Sequence, residues 1–187
     1  MTGPGSVCAR CPKLLGASCC EVKPGEHLAT LTRADVARIR DHLRRAAHTF
    51  VDEEVLSDAE VRDYEARRPL YRGYFRRGPV RWTLRQHDGA CVFHDRARGC
   101  VLPVEVRPLA CRLYPFEQFP DGSWSVQMGR HGDIAAAQRA GGACLAVEEA
   151  TDMDEVLAAF GTTRDEVERL GAELAEAVSE HGRGRER

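Results

Sequence analysis

Four of the thirteen residues in CARCPKLLGASCC, positions 8 to 20, are cysteines, and four more follow at Cys91, Cys100, Cys111 and Cys144. Eight thiols constrain a fold more than any other feature here, because they serve as disulfides, as a metal or cluster site, or as thiols that react. At 187 residues the chain is long enough to bury a core without cross-links. The start, MTGPGSVCARC, lacks the apolar stretch of a secretory leader, and no run approaches the ~18 apolar residues of a membrane helix. Both observations point to a cytoplasmic protein with no membrane partner. In a reducing compartment such a cysteine set is more often a metal framework than a disulfide one.

The spacing supports the metal reading. Cys8-x2-Cys11 lets two sulfurs grip one metal from a tight loop. Cys19 and Cys20 are neighbours whose side chains diverge, so they serve two nearby sites, or one is a ligand and the other a spare. Cys91 and Cys100 flank a charged turn, as ligands on a knuckle or hairpin do. Cys111 sits in a short element fenced by Pro108 and Pro115, where the ordering cost of binding is met before metal arrives. Arg107 and Arg112 flank Cys111, and Arg10 lies within the first pair. A four-thiolate site is negative, so these arginines offset its charge and can donate N–H to sulfur; Arg107 and Arg112 are the expected cofactor contacts. A surface ion pair is the alternative for Arg112. His94 and His131 are conceivable extra ligands, and Tyr114 reads as core or as a hydrogen-bond donor.

Around the cysteines the pattern is mixed α and β. LTRADVARIRDHLRRAAHTF reads as a helix, with Thr32 and Asp35 at capping-box spacing and Val36, Ile39 and Leu43 on one face. A second helix is expected from Ser57, boxed with Glu60, to before Pro69, with Leu56 and Val61 as its hydrophobic staple. VRWTLRQ and CVFHD have strand character, separated by the turn signal HDG, and a third strand is expected at WSVQM. A short helix over Leu109 to Leu113 is expected between the prolines. After Cys144, Thr151 with Asp154 and Thr163 with Glu166 open two further helices, the first ended by Gly161. Val167, Leu170, Leu174 and Val178 form an apolar stripe on the second, read as core packing or else a dimer face. The expectation is an α+β fold: helices around a small irregular sheet, cysteine-rich metal-binding loops, and a C-terminal helical tail. Residues 1–145 form the cysteine-cluster domain, 146–181 pack on it, and HGRGRER is disordered, with 182–187 as the tail.

The segments CARC…CC, LTRADVARI and CVFHDRARGCVLPVEVRPLACRLYPF resemble the YkgJ-like cysteine-cluster family, described as zinc- or iron-chelating. The resemblance covers roughly residues 8 to 119 and is most specific at RPLACRLYPF. Cys144 sits where the family tends to place a late cysteine, although GGACLA lacks the usual Cys-Pro-Gly, and the gap between Cys11 and Cys19 is longer than in the short form of the motif. The resemblance implies metal ligation by Cys8, Cys11, Cys19 or Cys20, Cys91, Cys100, Cys111 and Cys144. It also implies kinship with the cysteine region of flagellin lysine N-methylases, thought to hold an iron–sulfur cluster. Methylation itself does not carry over, because those enzymes are longer and no glycine-rich methyl-donor loop is present.

Function is therefore read as cytosolic metal binding, with an iron–sulfur cluster, such as [4Fe–4S], or zinc, in a structural, redox or sensory role. A metal-dependent enzyme and a zinc-stabilised protein or nucleic-acid interaction module are the alternatives. Charge bears on the last of these. From Arg62 to Arg98 there are ten arginines against four acids, and from Val147 onward twelve acids against five arginines. The basic middle can meet an anionic partner, pair with the acidic tail, or balance thiolates. No nucleic-acid motif accompanies it, so nucleic acid is not an expected partner, whereas a protein partner stays open.

Overall fold

The computed structural model describes residues 7, 10, 20, 21, 28–126 and 144–183. Cys8, Cys11, Cys19 and His131 lie outside the described residues, as do positions 127–128 of the expected third strand and 184–187. The fold is α+β. Instead of one irregular sheet, the described strands make four separate two-stranded antiparallel ribbons.

Helix α1 (Arg33–Leu43) opens on the expected capping box, with Thr32 and Asp35 exchanging bonds. It stops well short of Phe50, because Arg44 turns left-handed at φ 55° and its N–H closes on the Arg40 carbonyl. A 3-10 turn (Ala47–Thr49) leads instead into β1 (Val51–Val55), a strand that the acidic string VDEEV does not announce. Its partner β2 (Val80–Leu84) explains it: the register runs from Val51↔Leu84 to Val55↔Val80, and sets Glu54 opposite Arg81. Glu54 and Arg81 form an ion pair, and Asp52 accepts from Arg85 Nε at 2.8 Å. Cross-strand charge pairs of this kind compensate for the missing apolar alternation. Arg96 and Arg98 likewise pair with Glu21 and Asp95. With Arg67 on Asp63, five of the ten arginines of the basic middle thus pair with acids, while the acidic tail reaches Arg10 through Glu149 and Arg112 through Glu173.

Between β1 and β2, α2 (Asp58–Arg67) carries its Ser57–Glu60 box, and Leu56 and Val61 share a core as the staple requires. The expected CVFHD strand is divided. Two short ribbons follow β2: β3 (Gln86–His87) with β4 (Ala90–Cys91), and β5 (His94–Asp95) with β6 (Gly99–Cys100). Helix α3 spans Leu109–Leu113, as expected, and β7 (Phe116–Gln118) pairs with β8 (Trp124–Val126). Three helices complete the chain: α4 (Leu145–Glu149), α5 (Met153–Phe160) and α6 (Arg164–Arg183). The cap of α5 is Asp152 rather than Thr151, one residue later than expected; Thr151 donates its N–H and hydroxyl to Glu155 at 2.7 and 3.0 Å. Gly161 ends α5 at φ 58°, as expected. None of the described helices is long and apolar enough to cross a membrane.

Two apolar cores result. One gathers Tyr64, Tyr74, Leu109, Leu113 and Phe116 with the C-terminal helices, and Val167, Leu170, Leu174 and Val178 are all buried in it. The stripe on α6 is therefore core. The same core runs across the expected 145/146 boundary, which falls inside α4. The second core joins Leu31, Ile39, Phe50, Leu84, Phe93 and Leu102.

The expected disordered end is helical through Arg183. A Cβ on Gly182 would lie 2.1 Å from the Gly73 carbonyl oxygen, so only glycine lets the last turn dock there. One residue earlier, His181 is 7% exposed and stacks on Tyr74 with centroids 4.1 Å apart. Its Nδ1 is buried without a hydrogen-bond partner among the described residues. Burial, then the nearby Arg33 and Arg77, hold its pKa down to about 4 from the ordinary 6.5. The folded state keeps this ring neutral while the unfolded chain protonates it, so stability falls as pH drops from 6.5 toward 4, by on the order of 3 kcal/mol. A urea midpoint that declines over this window, with the decline flattened in His181→Phe, is the expected result. An equally steep decline in both proteins would remove His181 as the cause.

Candidate metal centre

Two hairpins present Cys91 and Cys100. Asp88 and Gly89, at φ 51° and 75°, form the two-residue turn between β3 and β4, the geometry that Asp-Gly favours because both positions need positive φ. In the next hairpin the three residues Arg96, Ala97 and Arg98 are held by the Asp95 carboxylate, which accepts the Ala97 and Arg98 N–H groups at 2.9 Å, and Gly99 closes the loop at φ 77°. The two hairpins place the cysteines at equivalent points, each at the end of the returning strand.

Beyond each cysteine the chain repeats itself. Cys91-Val92-Phe93 and Cys100-Val101-Leu102 both fold so that the N–H two residues on is directed at the cysteine sulfur. Phe93 N lies 3.5 Å from Cys91 Sγ, and Leu102 N–H acts in the same sense on Cys100. The loops are joined by Val101 N–H to the Phe93 carbonyl at 2.9 Å. A donor aimed at sulfur favours the thiolate over the thiol, and thiolate is the form that binds metal. Phe93 and Leu102 are buried in the second core, which anchors both loops.

Cys20 joins from the N-terminal segment. Glu21 bridges antiparallel to Ala90, and the Cys91 N–H donates to the Cys20 carbonyl at 2.8 Å. Cys111 comes from α3, which faces both cores: Leu109 and Leu113 pack in the first, and Cys111, two residues from each, packs on the second. The start of α3 is fixed by Asp35. Its Oδ1 accepts the Leu109 N–H at 3.0 Å, and Arg38 donates to the Arg107 carbonyl at 3.0 Å.

The four thiols sense one another. Cys111 is pushed well up by burial, and then by the charges of Cys20, Cys91 and Cys100. Burial takes Cys91 up to about 12, with Cys20 and Cys100 adding. Cys100 is also raised by burial, opposed by the Arg107 guanidinium, which donates to the Cys100 carbonyl at 3.3 Å. Without a cation these groups are held as thiols, and Cys91, Cys100 and Cys111 form no disulfide. A bound cation reverses that preference, displacing the protons. Arg112 has only a 3.6 Å contact to Glu173, and its Nε is buried without a partner among the described residues. Arg112 follows Cys111 in sequence, but neighbouring residues on a helix point apart, and its contact is with α6. Thiolates are the ligand type that zinc and iron–sulfur centres use.

A cavity of about 580 Å³ is bordered by Cys20, Cys91, Cys100, Cys111 and Cys144, and by His94, Arg107 and Arg112. Cys144 borders it from the other side, packed in the first core with Val7 and Leu145. Arg10, expected near the first cysteine pair, forms a two-bond ion pair with Glu149 at 3.0 and 2.8 Å. Among the described residues no three His, Cys, Asp or Glu side chains come together as a site for a metal ion. No family model, curated protein or solved structure matches the chain. Sequence reasoning named all these cysteines but missed the repeated Cys-Val-apolar tripeptide and the part played by Asp35. The repeat was there to be read in CVF and CVL; the contact from Asp35 to residue 109 had no local signal.

Proposed function

We propose that this chain is a metal-binding protein of the YkgJ-like kind, holding an iron–sulfur cluster or zinc through cysteine thiolates, with a structural, redox or sensory role. The observation that carries the reading is the pair of matched loops aiming backbone N–H groups at Cys91 and Cys100, with Cys20 and Cys111 within electrostatic reach. Cys8, Cys11 and Cys19 enter as ligands on the resemblance alone. Tetrahedral thiolate sets serve both zinc and iron–sulfur centres. The cavity of about 580 Å³ offers more room than a single ion uses, and this favours the cluster. The same cavity also supports a second reading, a metal-dependent enzyme, since its volume is that of a small-ligand pocket.

Anaerobic purification followed by elemental analysis and an absorption spectrum tests the proposal. Brown protein containing iron and acid-labile sulfide is the expected result. Colourless protein with stoichiometric zinc would replace the cluster by a structural ion. Protein that carries no metal and takes up neither would end the metal reading.

A further inference from the structure

The bridge between Glu21 and Ala90 fixes more than the path of the N-terminal segment. The bridge is isolated; one rung on, Cys20 lies in a turn, and a single 2.8 Å bond from the Cys91 N–H to the Cys20 carbonyl brings the two cysteines side by side. Residues joined by such a cross-strand bond have Cα atoms about 5.5 Å apart. That separation falls inside the window of roughly 4.4–6.8 Å over which a disulfide spans two cysteines. Cys91 is held from its other side by β3, where it pairs with Gln86, so its backbone is fixed between two neighbours. Cys20 is the more exposed of the two, while Cys91 is buried. One thiol of the pair is thus open to a reagent from solution, and the other is poised behind it.

We propose that Cys20 and Cys91 are a redox pair, closing into a disulfide that excludes metal from the site. The regulatory consequence rests on the metal-thiolate reading above; the bond itself rests only on the rung. The oxidant is an oxidised low-molecular-weight thiol, RSSR. The Cys20 sulfur attacks one sulfur of RSSR, whose S–S bond breaks; one RSH leaves with the proton from Cys20, and Cys20 is left as a mixed disulfide. The Cys91 sulfur then attacks the Cys20 sulfur, expelling the second RSH with the proton from Cys91. Two protein thiols are oxidised and one RSSR is reduced to two RSH. Closing the bond uses two of the thiolates proposed to hold the metal, so bond and metal are mutually exclusive. Reduction by an excess of small thiol restores the site.

The test uses the full chain, stripped of metal by a chelator under reducing anaerobic conditions, then exposed to oxidised glutathione. After alkylation and digestion with trypsin, the expected dominant product links residues 14–33 to residues 86–96. It should be lost in Cys20→Ser, retained in Cys19→Ser, and suppressed when metal is loaded before the oxidant. A dominant link from residues 86–96 to 99–112, a link that survives Cys20→Ser, or a scatter of many pairs would each overturn the proposal. The two readings fail separately. Metal uptake without the bond sinks only the redox pair; the bond without metal uptake sinks the metal reading and the regulatory consequence drawn from it.

Discussion

Asp35→Ala is expected to cost roughly 3–5 kcal/mol, a large share of the total stability of a domain this size. Asp35 is fully buried, and its carboxylate accepts four hydrogen bonds. Oδ2 takes the Thr32 N–H and hydroxyl at 2.9 and 2.7 Å; Oδ1 takes Arg38 Nη2 at 2.5 Å and the Leu109 N–H at 3.0 Å. Removing the carboxylate orphans the Thr32 and Leu109 donors, and the guanidinium of Arg38, 27% exposed, loses its counter-charge while keeping its bond to the Arg107 carbonyl. Asp35→Asn keeps the volume but turns an amide NH2 toward donors on one side, so it should recover only part of the loss. Urea unfolding of the three proteins measures this, and an alanine variant within about 1 kcal/mol of the parent would show that the network is not a stability element. Because one of those bonds starts α3, the alanine variant should also retain less metal than the parent under dilution.

Local signals were legible wherever one short segment decides the outcome. Thr32–Asp35, Ser57–Glu60, Asp88-Gly89 and Gly161 each act within a single turn, and each works as expected. Where a distant partner decides, the sequence was silent. VDEEV pairs with β2, where Glu54 faces Arg81 and Asp52 reaches Arg85 just beyond that strand, and the end of α6 docks where Gly182 meets Gly73. The single sheet inferred from three strand-like runs became four ribbons for a similar reason. β3 to β6 are two residues each, too short for alternation to reveal, and are held by turn chemistry and by the loops after the cysteines. The cysteines could be named from spacing; which of them meet could not. Cys20, Cys91, Cys100 and Cys111 come from separate elements around the second core, whereas Cys144 lies in the first.

That division sets the second large effect. Cys111→Ser should abolish stoichiometric metal and forfeit much of the folding free energy that a structural metal supplies, of order 10 kcal/mol at zinc-type sites. Serine binds soft metals far more weakly than thiolate, and Cys111 lies within electrostatic reach of Cys20, Cys91 and Cys100. The measurement is a difference. The parent should lose most of its stability when a chelator removes the metal, since metal binds the folded state and not the unfolded chain. Cys111→Ser should resemble the stripped parent and respond little to chelator. Cys144→Ser puts a hydroxyl into an apolar core at 6% exposure, which costs about 1–3 kcal/mol, yet should leave the metal content near that of the parent. Cys111→Ser protein that is fully metallated and as stable as the parent would remove Cys111 from the ligand set. If Cys144→Ser lost metal as completely as Cys111→Ser, the centre would have to draw on both cores, with the cavity between them as its seat.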